Sequence, residues 1–246
     1  MLTQEQTLRF VFKPLLLLAC LAPFLHLAAG AAGLGGMSLG ANPVESVLHG
    51  LGKWGLNFLL VTLCITPLRQ ITGWVHWMRF RRMLGLTAFF YLLGHFAFYL
   101  VVDRGLDLRV LAEDVIARPY ITVGLAGLLL LVPLAATSTR ASMRRLGRRW
   151  QALHRLVYPA AILGCVHYYW QVKADVREPL VYFTVLGALL GWRWWKHRQR
   201  LSRAAPAGRS RQIRFLPSLA AARGQQDGRQ DERATRGRPR GHRLAQ

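Results

Sequence analysis

Acidic side chains are scarce in this chain: 11 Asp and Glu stand against 33 Lys and Arg, a net charge of +22 over 246 residues. In a soluble protein that balance points to nucleic acid or another anionic surface. The distribution argues otherwise. Fifteen of the Lys and Arg lie between Arg193 and Gln246, beside only three acids, and no aromatic-and-basic interleaving marks an RNA-binding face. Nucleic acid is therefore not expected as a partner. Cysteine is equally rare, and all three (Cys20, Cys64, Cys165) sit inside apolar blocks. Such placement gives no disulfide framework and no CxxC metal pair, and without CxxCH a covalently attached c-type haem is not expected. No strand followed by Gly-x-Gly-x-x-Gly and a helix occurs, which argues against a flavin or nicotinamide domain. No internal repeat is evident.

What the chain does have is apolar blocks, in a sequence that is 52% hydrophobic. A helix needs about 20 mostly apolar residues to cross a bilayer. Six segments qualify: 11–29, 47–66, 83–102, 119–136, 150–170 and 179–195. The first has a basic flank and reads as a retained signal anchor. Basic loops set the orientation. Arg69, Arg79, Arg81 and Arg82 lie between spans two and three, and Arg140, Arg144, Arg145, Arg148 and Arg149 between spans four and five. The alternate loops are poor in basic residues or balanced by acids. With six spans, all the basic segments fall on one side, so both termini are expected in the cytoplasm. The expected fold is thus an all-α bundle of six transmembrane helices over 1–199, in a bacterial inner membrane. Residues 200–246, rich in Ala, Gly, Arg, Gln and Pro, read as a disordered basic cytoplasmic tail in reach of anionic lipid headgroups.

Histidines carry the functional reading. His95 lies in span three, His154 and His167 in span five, and an ionisable residue within a bilayer usually faces the bundle interior. Two neutral imidazoles at matching depth on different helices can ligate a b-type haem from opposite sides. Counted from the basic end at 1.5 Å per residue, His95 lies roughly 20 Å in and His167 roughly 27 Å, but His154 only about 8 Å. His95 and His167 are therefore the expected pair of iron ligands on one outer haem. His154 is left as a ligand at an irregular second site, or as a polar group near a quinone or flavin. Gly85, Gly94 and Gly164 can make room for a flat macrocycle or for close helix packing. Arg81, Arg82 and Arg155 can pair with propionates or another anionic cofactor, though the positive-inside pattern accounts for them as well.

The motifs TPLR (66–69), RRMLGL (81–86), GHFAFYL (94–100), WQALHRLVYPAAIL (150–163) and HYYW (167–170) resemble the MsrQ (YedZ) family of the ferric-reductase-like transmembrane superfamily. The resemblance covers about 50–195. It implies a haem b electron-transfer subunit, not itself the catalytic subunit, that serves a periplasmic molybdopterin methionine sulfoxide reductase (MsrP-like). It further implies respiratory quinol as electron donor, an associated FMN, and haem-related roles for His95, His154 and His167. Two other readings compete. One is the haem domain of a ferric or cupric reductase fed by a separate flavoprotein. The other is a metal or proton transporter, against which stand the absence of Asp and Glu from spans three and five and of any Gly/Pro-broken span.

Overall fold

The computed structural model describes residues 4–36, 38–172 and 175–204. The tail expected from 200 onward therefore lies, from 205, outside the described residues. All secondary structure among those described is helical: α1 Gln4–Thr7, α2 Lys13–Ala31, α3 Pro43–Thr72, α4 Trp77–Phe98, α5 Leu108–Ala117, α6 Pro119–Ala136, α7 Arg140–Leu146, α8 Arg148–Leu153, α9 Val157–Gln171 and α10 Arg177–Ala204. Four stretches are long and apolar enough to cross a membrane: Phe10–Ala31, Pro43–Thr72, Trp77–Asp103 and Pro119–Ala136. Their outward faces carry Leu15, Leu18, Phe90 and Leu129, each about three-fifths exposed, a surface suited to lipid and not to water.

The chain divides into two units, 1–193 and 194–246. Within the described part of the second, Arg198 lies over the Trp194 ring at 4.4 Å and Lys196 over Trp195 at 4.9 Å.

Local chemistry sets the helix ends. Asn42 caps α3 by accepting from the Glu45 N–H, Pro43 occupies the first turn, and Gly73 closes the helix in the left-handed region (φ 71°) with its N–H on the Arg69 carbonyl. Asp107 caps α5 through the N–H groups of Arg109 and Val110. The stretch 150–170, expected as one span, is not one helix. It divides into α8, a 3-10 turn at His154–Leu156, and α9. Pro159 explains the break: its ring crowds the carbonyl four residues back, at Arg155, and it has no N–H to offer there.

Two antiparallel hairpins form the core, α3 with α4 and α6 with α9, packed around Leu59, Leu63, Leu84, Ala88, Ala161 and Cys165, all at most 4% exposed. Small residues let each hairpin close. A Cβ on Gly55 would come within 2.7 Å of Leu92, and one on Gly127 within 3.4 Å of the Leu163 Cβ. Arg193 of α10 ties into this core by donating to the Tyr158 hydroxyl and the Leu63 carbonyl. At the other end of α10, Glu178 pairs with Lys53 of α3 at 2.6 Å.

Helix α2 packs on α3 through Leu27 against Gly50 and is tied to α4 by a buried hydroxyl. Tyr91 of α4 accepts from the Phe24 N–H (2.9 Å) and donates to the Cys20 carbonyl (2.7 Å). Those two backbone groups are four residues apart on α2 and flank Pro23, which weakens the helix ladder there. Tyr91→Phe is expected to destabilise the protein by about 1 kcal/mol, a figure typical of one hydrogen bond between membrane helices. Thermal denaturation in detergent checks this, and an unchanged midpoint would show the hydroxyl to be dispensable.

Candidate functional site

The hairpin geometry brings the first turns of α3 beside the last turn of α4, and does the same for α6 and α9. His95, near the end of α4, sets its Nδ1 2.8 Å from the Leu48 carbonyl, and His167, near the end of α9, sets its Nδ1 2.7 Å from the Tyr120 carbonyl. A carbonyl can only accept, so each Nδ1 carries the proton and each Nε2 keeps a free lone pair. The two rings face one another across the hairpins, with centroids 6.1 Å apart and planes at 76°. Two metal–nitrogen bonds of about 2 Å each, plus the ring radii, require about that separation for imidazoles on opposite sides of one metal. Both line a cavity of about 790 Å³, the size of a small-molecule site.

Glycine makes this contact possible. In a helix the carbonyl at i lies beside the residue at i+4. The residues four beyond Leu48 and Tyr120 are Gly52 and Gly124. A Cβ on Gly52 would stand 3.1 Å from the His95 Nδ1, and one on Gly124 2.6 Å from the His167 Nδ1. These two glycines, and not Gly85, Gly94 or Gly164, abut the histidines. Gly94 faces nothing within 4 Å, while Gly85 and Gly164 meet Thr62 and Leu56.

One chain offset relates the contacts around the two histidines. Leu48, Gly52, Gly55 and His95 recur 72 residues later as Tyr120, Gly124, Gly127 and His167. The two hairpins thus repeat one arrangement of carbonyl, glycines and histidine, which the sequence does not make evident. Gly-x-x-Gly followed by His 40 residues after the second glycine occurs at both hairpins, but also at Gly33, Gly36 and His76, so the pattern alone does not mark the site.

Residues 51–165 match the family model for the ferric reductase like transmembrane component. A protein of Xanthomonas oryzae pv. oryzae is 52% identical over 177 residues, 70% of this chain and 81% of its own length. One of Rhodospirillum rubrum is 52% identical over 191 residues, 77% of this chain and 90% of its own. Both are named protein-methionine-sulfoxide reductase heme-binding subunit MsrQ. This chain belongs to the MsrQ family. No solved structure matches it.

In this MsrQ-family chain the third expected histidine stands apart from the other two. His154 sits in the 3-10 turn, stacked on Trp150 (3.8 Å between centroids), with its Nδ1 on the Trp150 carbonyl at 3.1 Å. Its Nε2 is buried and makes no hydrogen bond. It lines a different cavity, of about 1380 Å³, together with Arg79, Arg81, Arg82, Arg140 and Arg155. The 72-residue offset pairs His154 with Arg82, so the repeat is symmetric at the His95–His167 end and asymmetric at this one.

The mouth of the first cavity is polar but charge-balanced. Asp114 is 7% exposed and takes Arg104 and Arg118 at 2.9 and 3.1 Å as well as the Tyr99 hydroxyl. Gln171 of α9 donates to the His49 Nε2 of α3 at 2.6 Å. His49 is thus a lining residue that its place at a span edge does not reveal.

The carbonyl bonds dictate a tautomer. In protein freed of metal and labelled with 15N-histidine, solid-state NMR should find His95 and His167 neutral with the proton on Nδ1. Protonation on Nε2 at either position would contradict the geometry.

Proposed function

We propose that this chain is the haem b membrane subunit of a methionine sulfoxide reductase system, with His95 and His167 as the two iron ligands. The observation that carries the reading is the opposed imidazole pair, each with Nδ1 engaged by a backbone carbonyl and Nε2 left free to bind metal. Bound there, haem supplies one-electron chemistry. The chain's own part is to present two neutral ligands and to keep them oriented by hydrogen bonds at the far ring nitrogen. If His95 and His167 both bind the iron, no metal site would be left open to substrate, which fits an electron-transferring subunit and not the catalytic one.

Six spans with cytoplasmic termini, in the inner membrane, remain the topology that the loop charges support. Four stretches meet the length and apolarity of a span, and this reading assigns the other two crossings to α8 with α9 and to α10. The cavity around His154 then opens toward the cytoplasmic side. Its five arginines suit an anionic or acceptor-rich group. The free His154 Nε2, left as an acceptor by the bond from Nδ1 to the Trp150 carbonyl, suits a donor such as a quinol hydroxyl or a flavin N–H, so FMN or a quinol head group fits the site. Quinol is the donor this reading assigns, and a periplasmic molybdopterin-containing MsrP-like reductase the acceptor. The loops 103–118 and 171–178, whose described residues Asp103, Arg104, Gln171, Val172, Asp175 and Glu178 line the first cavity, are the docking surface for that partner. One haem is assigned, because Arg82 stands where a fourth histidine would be needed.

The decisive experiment is the reduced-minus-oxidised visible spectrum of purified protein. A low-spin b-type spectrum is expected in wild type and in His154→Ala, and its loss in His95→Ala and His167→Ala. Colourless wild-type protein from haem-sufficient cells would overturn the proposal and favour a transporter. Docking is tested separately by photo-crosslinkers placed at Ile116 and at Arg145. Capture of the periplasmic reductase from the first position is expected, and capture from the second alone would refute the assigned surface.

A further inference from the structure

Four glycines in the two hairpins fall into two classes. Gly55 and Gly127 abut aliphatic side chains or backbone of the partner helix, the ordinary use of small residues in membranes. Gly52 and Gly124 abut the two histidines instead. Around Gly124 an added Cβ would meet Nδ1, Cε1 and Cγ of His167 at 2.6, 2.8 and 3.0 Å, so it strikes the ring as a whole and not the end of a flexible chain. Around Gly52 the same three atoms of His95 lie at 3.1, 3.3 and 3.6 Å. Each ring therefore sets its Nδ1 corner against a bare patch of helix, with the carbonyl it needs four residues before the gap.

We infer that Gly52 and Gly124 are positioning residues that set the planes and the tautomers of the two ligand imidazoles, acting as a duplicated seat in which the absence of a side chain is the functional feature. Two surfaces constrain each imidazole. The carbonyl pins Nδ1 and so fixes the direction of Nε2, while the glycine lets the ring tilt far enough toward its own helix to reach that carbonyl. Because the contacts recur 72 residues apart, the two ligands are held by one device used twice. The device is not equally tight in both halves. His167 is wedged by about half an ångström more than His95, so the alanine substitutions must have graded effects.

The inference rests on the haem assignment, and the test separates the two. Gly52→Ala, Gly124→Ala and, as a control, Gly187→Ala are purified as full chains; an added Cβ at Gly187 meets nothing within 4 Å. Three quantities are read: haem per protein, the low-spin EPR signal, which reports the angle between the ligand planes, and the histidine tautomers of haem-free protein by 15N NMR. In Gly124→Ala the His167 Nδ1 proton should be lost from its carbonyl bond. Haem affinity should fall about tenfold or more, the scale seen when groups that orient a metal ligand are removed. Gly52→Ala should keep its haem with a shifted EPR signal, and Gly187→Ala should match wild type.

Unaltered EPR and tautomers in both seat variants would overturn the inference while leaving the haem assignment standing. Colourless wild type would remove the haem assignment, and the tautomer measurement alone would then decide the seat. Should Gly124→Ala fail to fold, the milder Gly52→Ala decides by the same readouts.

Discussion

An imidazole nitrogen can carry a proton or a metal bond, and in this chain two backbone carbonyls make that choice. Leu48 and Tyr120 each lie in the opening turns of a helix, where the carbonyl oxygen already serves the ladder and still has a lone pair for a second donor. A histidine arriving from the neighbouring helix can reach that lone pair only if nothing projects from the position four residues on. Glycine at Gly52 and Gly124 meets the requirement. The close hairpins, the direction of Nε2 and the separation of the two rings all depend on this contact.

Its placement at helix ends has an electrostatic logic. A charged ligand in the apolar interior would be costly, whereas a neutral imidazole satisfied at Nδ1 can wait there with one lone pair exposed. No carboxylate serves as orienting partner to either ring. The acids near the mouth are consumed elsewhere, Asp114 by two arginines and Glu178 by Lys53. A backbone carbonyl orients the ring without adding a second charge to a low-dielectric site.

The opposite end of the hairpins is built on the other principle. Five arginines line the cavity beside His154, and Arg82 occupies the position that the repeat gives to His154 in the second half. One end presents two matched neutral ligands, and the other presents cationic donors around a single free imidazole nitrogen. The two hairpins are thus alike where two identical ligands are useful and differ where an anionic or acceptor-rich group fits better.

The helical membrane class, the basic and apolar alternation, and the pairing of His95 with His167 over His154 were legible in the sequence. Block length, loop charge and depth along a helix are local quantities that survive without knowing what packs against what. The division of 150–170 at His154–Leu156 was only half legible: Pro159 is visible as a break, but a proline can also sit in a gently bent helix. The repeat escaped because Gly52, Gly55 and His95 recur among interchangeable apolar residues, which hide a 72-residue offset. Which glycines matter was decided by tertiary structure alone. Gly85, Gly94 and Gly164 look as suitable as Gly52 and Gly124 along the chain, and a missing side chain acquires a meaning only from the group that comes to lie opposite it.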